Sequence, residues 1–162
     1  MTDRAVLRRQ VRATDLAAVR EIVLSTGFFS AAEVDVAEEL VAEHLAKGDA
    51  SGYFFVFADG PDGACLGYAC YGPTPCTVST VDLYWIAVRN ECRGRGVGRL
   101  LLAEVERVLP AGSKIIAETS SRRQYEATRC FYLSCGFAQE ARIRDYYAPG
   151  EDIMYFTKYV AD

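Results

Sequence analysis

Residues 80–88, TVDLYWIAV, are rich in β-branched and aromatic residues, the pattern of a strand covered on both faces. The chain then passes through RNECRGRGVGRLLL, where Arg89, Arg93, Arg95 and Arg99 crowd around Gly94, Gly96 and Gly98. Apolar residues next recur at helical spacing through Val97, Leu100, Leu101, Val105 and Val108, and Pro110 and Gly112 close the pattern. A buried strand that gives way at once to an amphipathic helix points to a layered α/β design.

The flanking sequence supplies the other layers. Val6 to Arg12 can form a first strand. Thr14 and Asp15 offer N-cap oxygens to a helix carrying Leu16, Val19, Ile22 and Val23, with Gly27 at its exit. Ser30 and Glu33 make a capping-box pattern for a second helix that Gly48 ends. Its apolar stripe runs through Val34, Ala37, Leu40, Val41 and Leu45. Strands are predicted at 53–58 and 65–71, joined by the DGPDG turn. A strand at 114–119, a helix over about 124–135 capped by Gly136, and strands at 137–144 and 152–160 complete the order β-α-α-β-β-β-α-β-α-β-β. With no repeat, linker or low-complexity segment, residues 1–162 read as one mixed α/β domain.

The glycine-arginine connection has a chemical reading. Glycine permits positive φ and lets a ligand approach without a Cβ in the way. Successive N–H groups there, with those of the next helix's first turn, form an anion cradle. The four arginines make a local positive field in a chain of net charge −4, so the target is a compact polyanion. The dinucleotide pattern G-x-G-x-x-G does not fit, because Gly98 is followed by Arg99 and Leu100. A G-x-x-x-x-G-K-S/T loop is absent, and a disordered RGG segment would be repeated rather than single.

Composition excludes other classes. No apolar run approaches the roughly 20 residues of a membrane span. The opening MTDRAVLRRQVRATD has no apolar signal core, so a cytoplasmic, membrane-free setting is expected. A pI near 5.1 disfavours nucleic-acid binding and weakly favours cationic substrates. The six cysteines, Cys65, Cys70, Cys76, Cys92, Cys130 and Cys135, include no C-x-x-C pair, and His44 is the only histidine. No metal site and no histidine-activated nucleophile is therefore expected, and His44 reads as a helix-surface residue.

Arg93-Gly94-Arg95-Gly96-Val97-Gly98 matches the Gln/Arg-x-x-Gly-x-Gly/Ala signature of the GNAT N-acetyltransferase superfamily. LYWIAV before it resembles that family's fourth strand, and FYLSCGF (131–137) resembles its second motif. The resemblance covers about residues 5 to 160. It implies a mostly antiparallel, twisted sheet of about seven strands, splayed between strands 4 and 5 and flanked by four helices. It also implies acetyl-CoA as co-substrate, with its diphosphate held by Arg93, Gly94, Arg95, Gly96, Val97, Gly98 and Arg99. The pantetheine arm would pair with Ile86, Ala87 and Val88, and an N–H near Val88 would be the oxyanion donor. Tyr132 occupies the family's general-acid position, and Asp82, six residues before Val88, the position of a general base. Asp82 lies roughly 20 Å along the strand from Val88, so a bridging water is expected. Glu118 is a second carboxylate candidate. Tyr125 stands where many members carry Asn, which puts one coenzyme contact in doubt.

In this fold the connection between the first two helices (25–33) and the loop between the last two strands, RDYYAPGED (144–152), choose the acceptor. Phe28, Phe29, Tyr146 and Tyr147 are the candidate substrate-binding residues. Tyrosines beside Asp145, Glu151 and Asp152 could hold an ammonium by cation-π and ionic contacts. The expected activity is transfer of an acetyl group to a primary amine, a small amine or amino acid, by direct attack. A catalytically silent acyl-CoA-binding module and a protein N-terminal or lysine acetyltransferase are the alternatives. A homodimer is left open, because many proteins of this fold dimerise.

Overall fold

The computed structural model describes residues 5–162; the first four residues of the expected domain lie outside that range. Seven strands and four helices follow one another in the predicted order. They are β1 (Val6–Arg8), α1 (Asp15–Thr26), α2 (Ala31–Lys47), β2 (Phe54–Asp59), β3 (Cys65–Pro73) and β4 (Thr80–Val88), then α3 (Val97–Val108), β5 (Lys114–Ser120), α4 (Glu126–Ser134), β6 (Ala138–Ala148) and β7 (Glu151–Tyr159). The strands pair in the order β1-β2-β3-β4-β5-β7-β6. Pairing is antiparallel at β1–β2, β2–β3, β5–β7 and β6–β7, and parallel at β4–β5.

The chain divides into two compact units. One runs to Gly72 and resumes over Trp85–Val108; the other holds Pro73–Tyr84 and Leu109–Asp162. In the first, α1 and α2 bury Val19, Ile22, Val23, Val34, Ala37 and Val41 against Phe55, Phe57, Tyr68 and Cys70 of β2 and β3. The rings of Phe55 and Phe57 stack 5.6 Å apart, and each also stacks on Tyr68. Ser30 and Glu33 cap α2 reciprocally as its sequence predicts: Ser30 Oγ accepts from Glu33 N at 3.2 Å, and the Glu33 carboxylate accepts from Ser30 N at 2.7 Å. Gly27 ends α1 at φ 71°.

Several expectations are corrected here. β1 stops at Arg8 rather than Arg12, because Arg8 turns inward to bridge Asp15 and Asp59, at 2.9 Å to each. Thr14 makes no side-chain cap; Asp15 instead accepts from Arg12 N at 2.7 Å. Leu45 and Leu100 are exposed, and Leu102 takes the core place expected of Leu100. His44 is half-buried rather than free on the helix surface: its Nδ1 bonds Tyr53 O at 2.7 Å and its ring meets Phe55 edge-on, tying α2 to the start of β2.

In the second unit β5 lies antiparallel to β7 over Lys114↔Tyr159 to Ser120↔Ile153, and β6 is an edge strand exposed along its whole length. The segment 144–152 is not a loop. β6 extends to Ala148 by bulging at Asp145, which takes φ 52°. Asp145 donates its N–H to Asp152 Oδ1 at 2.9 Å and accepts from Gly150 N at 2.6 Å. Among the described residues, no helix is long and apolar enough to cross a membrane, and no group of three or more His, Cys, Asp or Glu could hold a metal ion.

Candidate active site

After β4 the chain makes a 3-10 turn at Asn90–Cys92, extends at Arg93, and passes through Gly94 at φ 74° and Gly96 at φ 82° before α3 begins. A Cβ disfavours those left-handed values. Beyond the adjacent residues, no atom of the described residues lies within 4 Å of where one would stand at either glycine. Glycine is therefore required by backbone shape and not by crowding within the protein. Arg93 N bonds Asn90 O at 3.3 Å, and the first bond of α3 runs from Leu100 N to Gly96 O at 3.0 Å. Between them the main-chain N–H groups of Gly94, Arg95, Gly96, Val97 and Gly98 have no acceptor among the described residues. Five successive free donors at a helix N-terminus are an anion nest, reinforced by about half a positive charge from the helix dipole.

The arginines there have separate tasks. Arg89 is a brace: its Nε donates to Cys65 O at 2.7 Å and its guanidinium pairs with Glu21 at 3.0 Å. Arg93 lies over the Phe28 ring, 5.4 Å from its centre. Arg95 and Arg99 are exposed at the turn and the first turn of α3. Phe29, by contrast, packs edge-on against Trp85 at 4.9 Å, and both half-buried rings lean on the core. Ala87 is buried, while Ile86 and Val88 are half-buried. β3 approaches this end of β4 so closely that a Cβ on Gly67 would stand 2.8 Å from Ala87 O and 3.2 Å from Val88 Cα.

The titratable candidates lie in the second unit. The parallel β4–β5 ladder runs from Thr80↔Lys114 to Leu83↔Ala117 and ends there, although both strands continue. Asp82 pairs with Ile116 and accepts from Thr74 Oγ1 at 2.8 Å. Glu118, two residues past Ile116, pairs with Tyr155 of β7. Side chains alternate along a strand, so Asp82, Glu118 and Tyr155 share one face of the sheet. Burial raises the Glu118 carboxyl above its ordinary range, and the like charge of Asp82 raises it further. Burial, with the Glu118 charge second, pushes Tyr147 up to about 12 and raises Tyr155 in the same direction.

Tyr146 and Tyr147 meet edge-to-face at 5.0 Å on β6 and are about half exposed. The carboxylates expected to serve beside them are already committed. Asp152 accepts from Arg142, Asp145 N and its own N–H bonds Ser121 Oγ, while Glu151 takes the Ser120 hydroxyl. Glu118 is the carboxylate that faces the tyrosines. Tyr155 went unread in the sequence because DIMYFTKYV gives the alternation of β7 but not its register against β5.

Tyr132 on α4 is 4% exposed, its ring packed 5.6 Å from Phe131, 5.4 Å from Phe137 and 5.8 Å from Phe156. Burial, with Cys135 adding to it, holds its phenol well above the ordinary range. Tyr125 stands at the entrance to α4.

The family model for the acetyltransferase (GNAT) domain matches residues 50–139. A solved GNAT-family protein from Desulfovibrio desulfuricans is 49% identical, with 97% of this chain and 99% of that one covered at a TM-score of 0.92. The ribosomal-protein-S18-alanine N-acetyltransferase from Escherichia coli shares the fold at 20% identity, covering 98% of this chain and 95% of that one at a TM-score of 0.74. An aminoglycoside 6'-N-acetyltransferase complexed with coenzyme A shares it at 13% identity, covering 97% and 98% at a TM-score of 0.75. No curated protein matches the chain. With a family model spanning more than half of its length and a half-identical solved relative covered almost end to end, the chain belongs to the GNAT family of acetyltransferases.

Proposed function

We propose that this acetyltransferase moves an acetyl group from acetyl-CoA to a primary amine by direct attack of the amine on the thioester, with residues 1–162 acting as one catalytic domain. The observation that carries the reading is the run of acceptor-free N–H groups from Gly94 to Gly98. A nucleotide diphosphate supplies the oxygens those donors lack, and Arg93, Arg95 and Arg99 add full charges around it. Ile86, Ala87 and Val88 would pair with the pantetheine arm.

The acceptor reading is a small cationic amine. Asp82 and Glu118 draw an ammonium to a face that Tyr147 and Tyr155 also border. An ammonium of pKa about 10 is no nucleophile. It must first lose a proton to one of these carboxylates, directly or through water. The free amine then forms the new C–N bond, the C–S bond breaks, and Tyr132 gives its proton to the departing thiolate. Burial keeps Tyr132 protonated across the working range. The same desolvation would raise the thiol, so the proton gap depends on the difference between two buried environments. Six free cysteines suit a reducing compartment, and the cytoplasm is the assigned setting.

The test is thiol release from acetyl-CoA over a panel of free amines, amino acids and peptides. Release that depends on a free amine supports the reading. Release on peptides alone would redirect it to a protein substrate. Coenzyme binding with no release across the panel would leave an acyl-CoA-binding module.

A further inference from the structure

Phe28 and Phe29 are neighbours in sequence with different surroundings. Phe29 packs against Trp85 at the margin of the core, whereas Phe28 lies under the Arg93 guanidinium. Two other contacts bind the same stretch to the entrance of the glycine turn. Ser25 Oγ accepts from Asn90 N at 3.2 Å, and Glu21 pairs with Arg89 at 3.0 Å. Helix α1 and its exit thus touch Arg89, Asn90 and Arg93 in succession, along the leg by which the chain enters the turn.

Arg93 is exposed, and an unrestrained arginine there would lose rotamer freedom on meeting an anion. A guanidinium held over an aromatic face has lost part of that freedom beforehand, and the ring takes up none of its hydrogen-bond donors as an acceptor oxygen would. We propose that Phe28 is a positioning residue for the coenzyme, holding Arg93 at the edge of the amide nest, and not a residue that binds the acceptor. This rests on the turn being the diphosphate site.

The test measures coenzyme A affinity by calorimetry for the unmodified protein, Phe28→Leu, Phe28→Tyr, Arg93→Ala and the Phe28→Leu/Arg93→Ala pair. Phe28→Leu is expected to weaken binding about two- to fivefold, the range of an exposed cation-π contact. Phe28→Tyr, which keeps the ring, retains the original affinity. In the Arg93→Ala background Phe28→Leu adds no further loss, and the KM of the best amine in the panel is unchanged in Phe28→Leu. Additive losses, or a raised amine KM with coenzyme affinity intact, would overturn the proposal. Should Phe28→Leu not fold, loss of affinity in Phe28→Tyr would overturn it equally. If Arg93→Ala and Gly96→Val both bind coenzyme A normally, the diphosphate reading itself fails, a separate result from failure at Phe28.

Discussion

Glu118 on β5 stands opposite Tyr155 on β7, one alternate position beyond Ile116, the partner of Asp82. Two carboxylates therefore share a sheet face with a phenol, and the charge of Asp82 bears on Glu118. Desolvation and the Asp82 charge both favour its protonated form.

A pH profile tests that coupling. Glu118 accepts a proton only when ionised, so activity falls as pH drops through its raised pKa. Asp82→Asn removes the like charge, eases ionisation of Glu118, and is expected to move the acidic limb of kcat/KM to lower pH. Glu118→Gln should lower the rate and abolish that limb. If Asp82→Asn abolishes it while Glu118→Gln leaves it in place, Asp82 is the base and Glu118 only lends charge.

Tyr132→Phe removes the phenolic proton and little else, because its ring is held by Phe131, Phe137 and Phe156. Coenzyme A affinity should be nearly unchanged while kcat falls about tenfold or more, within the span of general-acid effects. An unchanged kcat with saturating amine would remove Tyr132 from proton transfer.

The legible parts of the fold were those fixed by local chemistry. TVDLYWIAV, the Ser30–Glu33 box and the glycine turn each carry their own stereochemical demand, and each forms where its residues predict, although β4 buries one face only and leaves Tyr84 exposed on the other. What the sequence hid depends on distant partners. Val6 to Arg12 reads as one strand, but β1 ends at Arg8, whose side chain pairs with Asp59, 51 residues away. The DYY segment read as loop because the bulge at Asp145 is held by Asp152 across the hairpin. Phe28 and Phe29 looked equivalent, since one-dimensional order gives no sign of which ring meets Arg93 and which meets Trp85.

Tyr68 offers a stability test away from the chemistry. Its side chain is fully buried beside the stacked Phe55 and Phe57, and its hydroxyl has no hydrogen-bond partner among the described residues. Burying an unsatisfied hydroxyl costs about 1–3 kcal/mol. Tyr68→Phe should therefore stabilise the protein by about 1 kcal/mol, net of the small void left behind, and raise Tm by about 2–4 °C. A lower Tm in calorimetry would mean that the hydroxyl has a partner in solution.

Gly67 has the opposite sensitivity. A methyl group there meets Ala87 O at 2.8 Å, and backbone cannot rotate aside as a side chain can. Gly67→Ala should push on the end of β4 that carries Ile86–Val88, lowering Tm and weakening acetyl-CoA binding together. Gly63→Ala is a useful comparison. Gly63, unlike Gly67, has positive φ, and no described residue beyond its chain neighbours lies near its added methyl, so the change should cost stability and spare coenzyme affinity. Equal effects on affinity from the two substitutions would disconnect Gly67 from the coenzyme.

The glycine turn separates main-chain from side-chain recognition. Gly96 sits at φ 82°, where valine is strained by roughly 1–2 kcal/mol, and a branched side chain there would also reorient the donors on either side. Arg95 contributes one exposed charge whose attraction for phosphate is screened by salt. Gly96→Val is thus expected to weaken coenzyme A binding about tenfold or more at any ionic strength. Arg95→Ala should weaken it about two- to threefold at low salt and by less at high salt. Calorimetric titrations of both variants at two salt concentrations decide the matter. If Arg95→Ala is the more damaging and its effect persists in high salt, the diphosphate is gripped by side-chain charge and the amide nest is incidental.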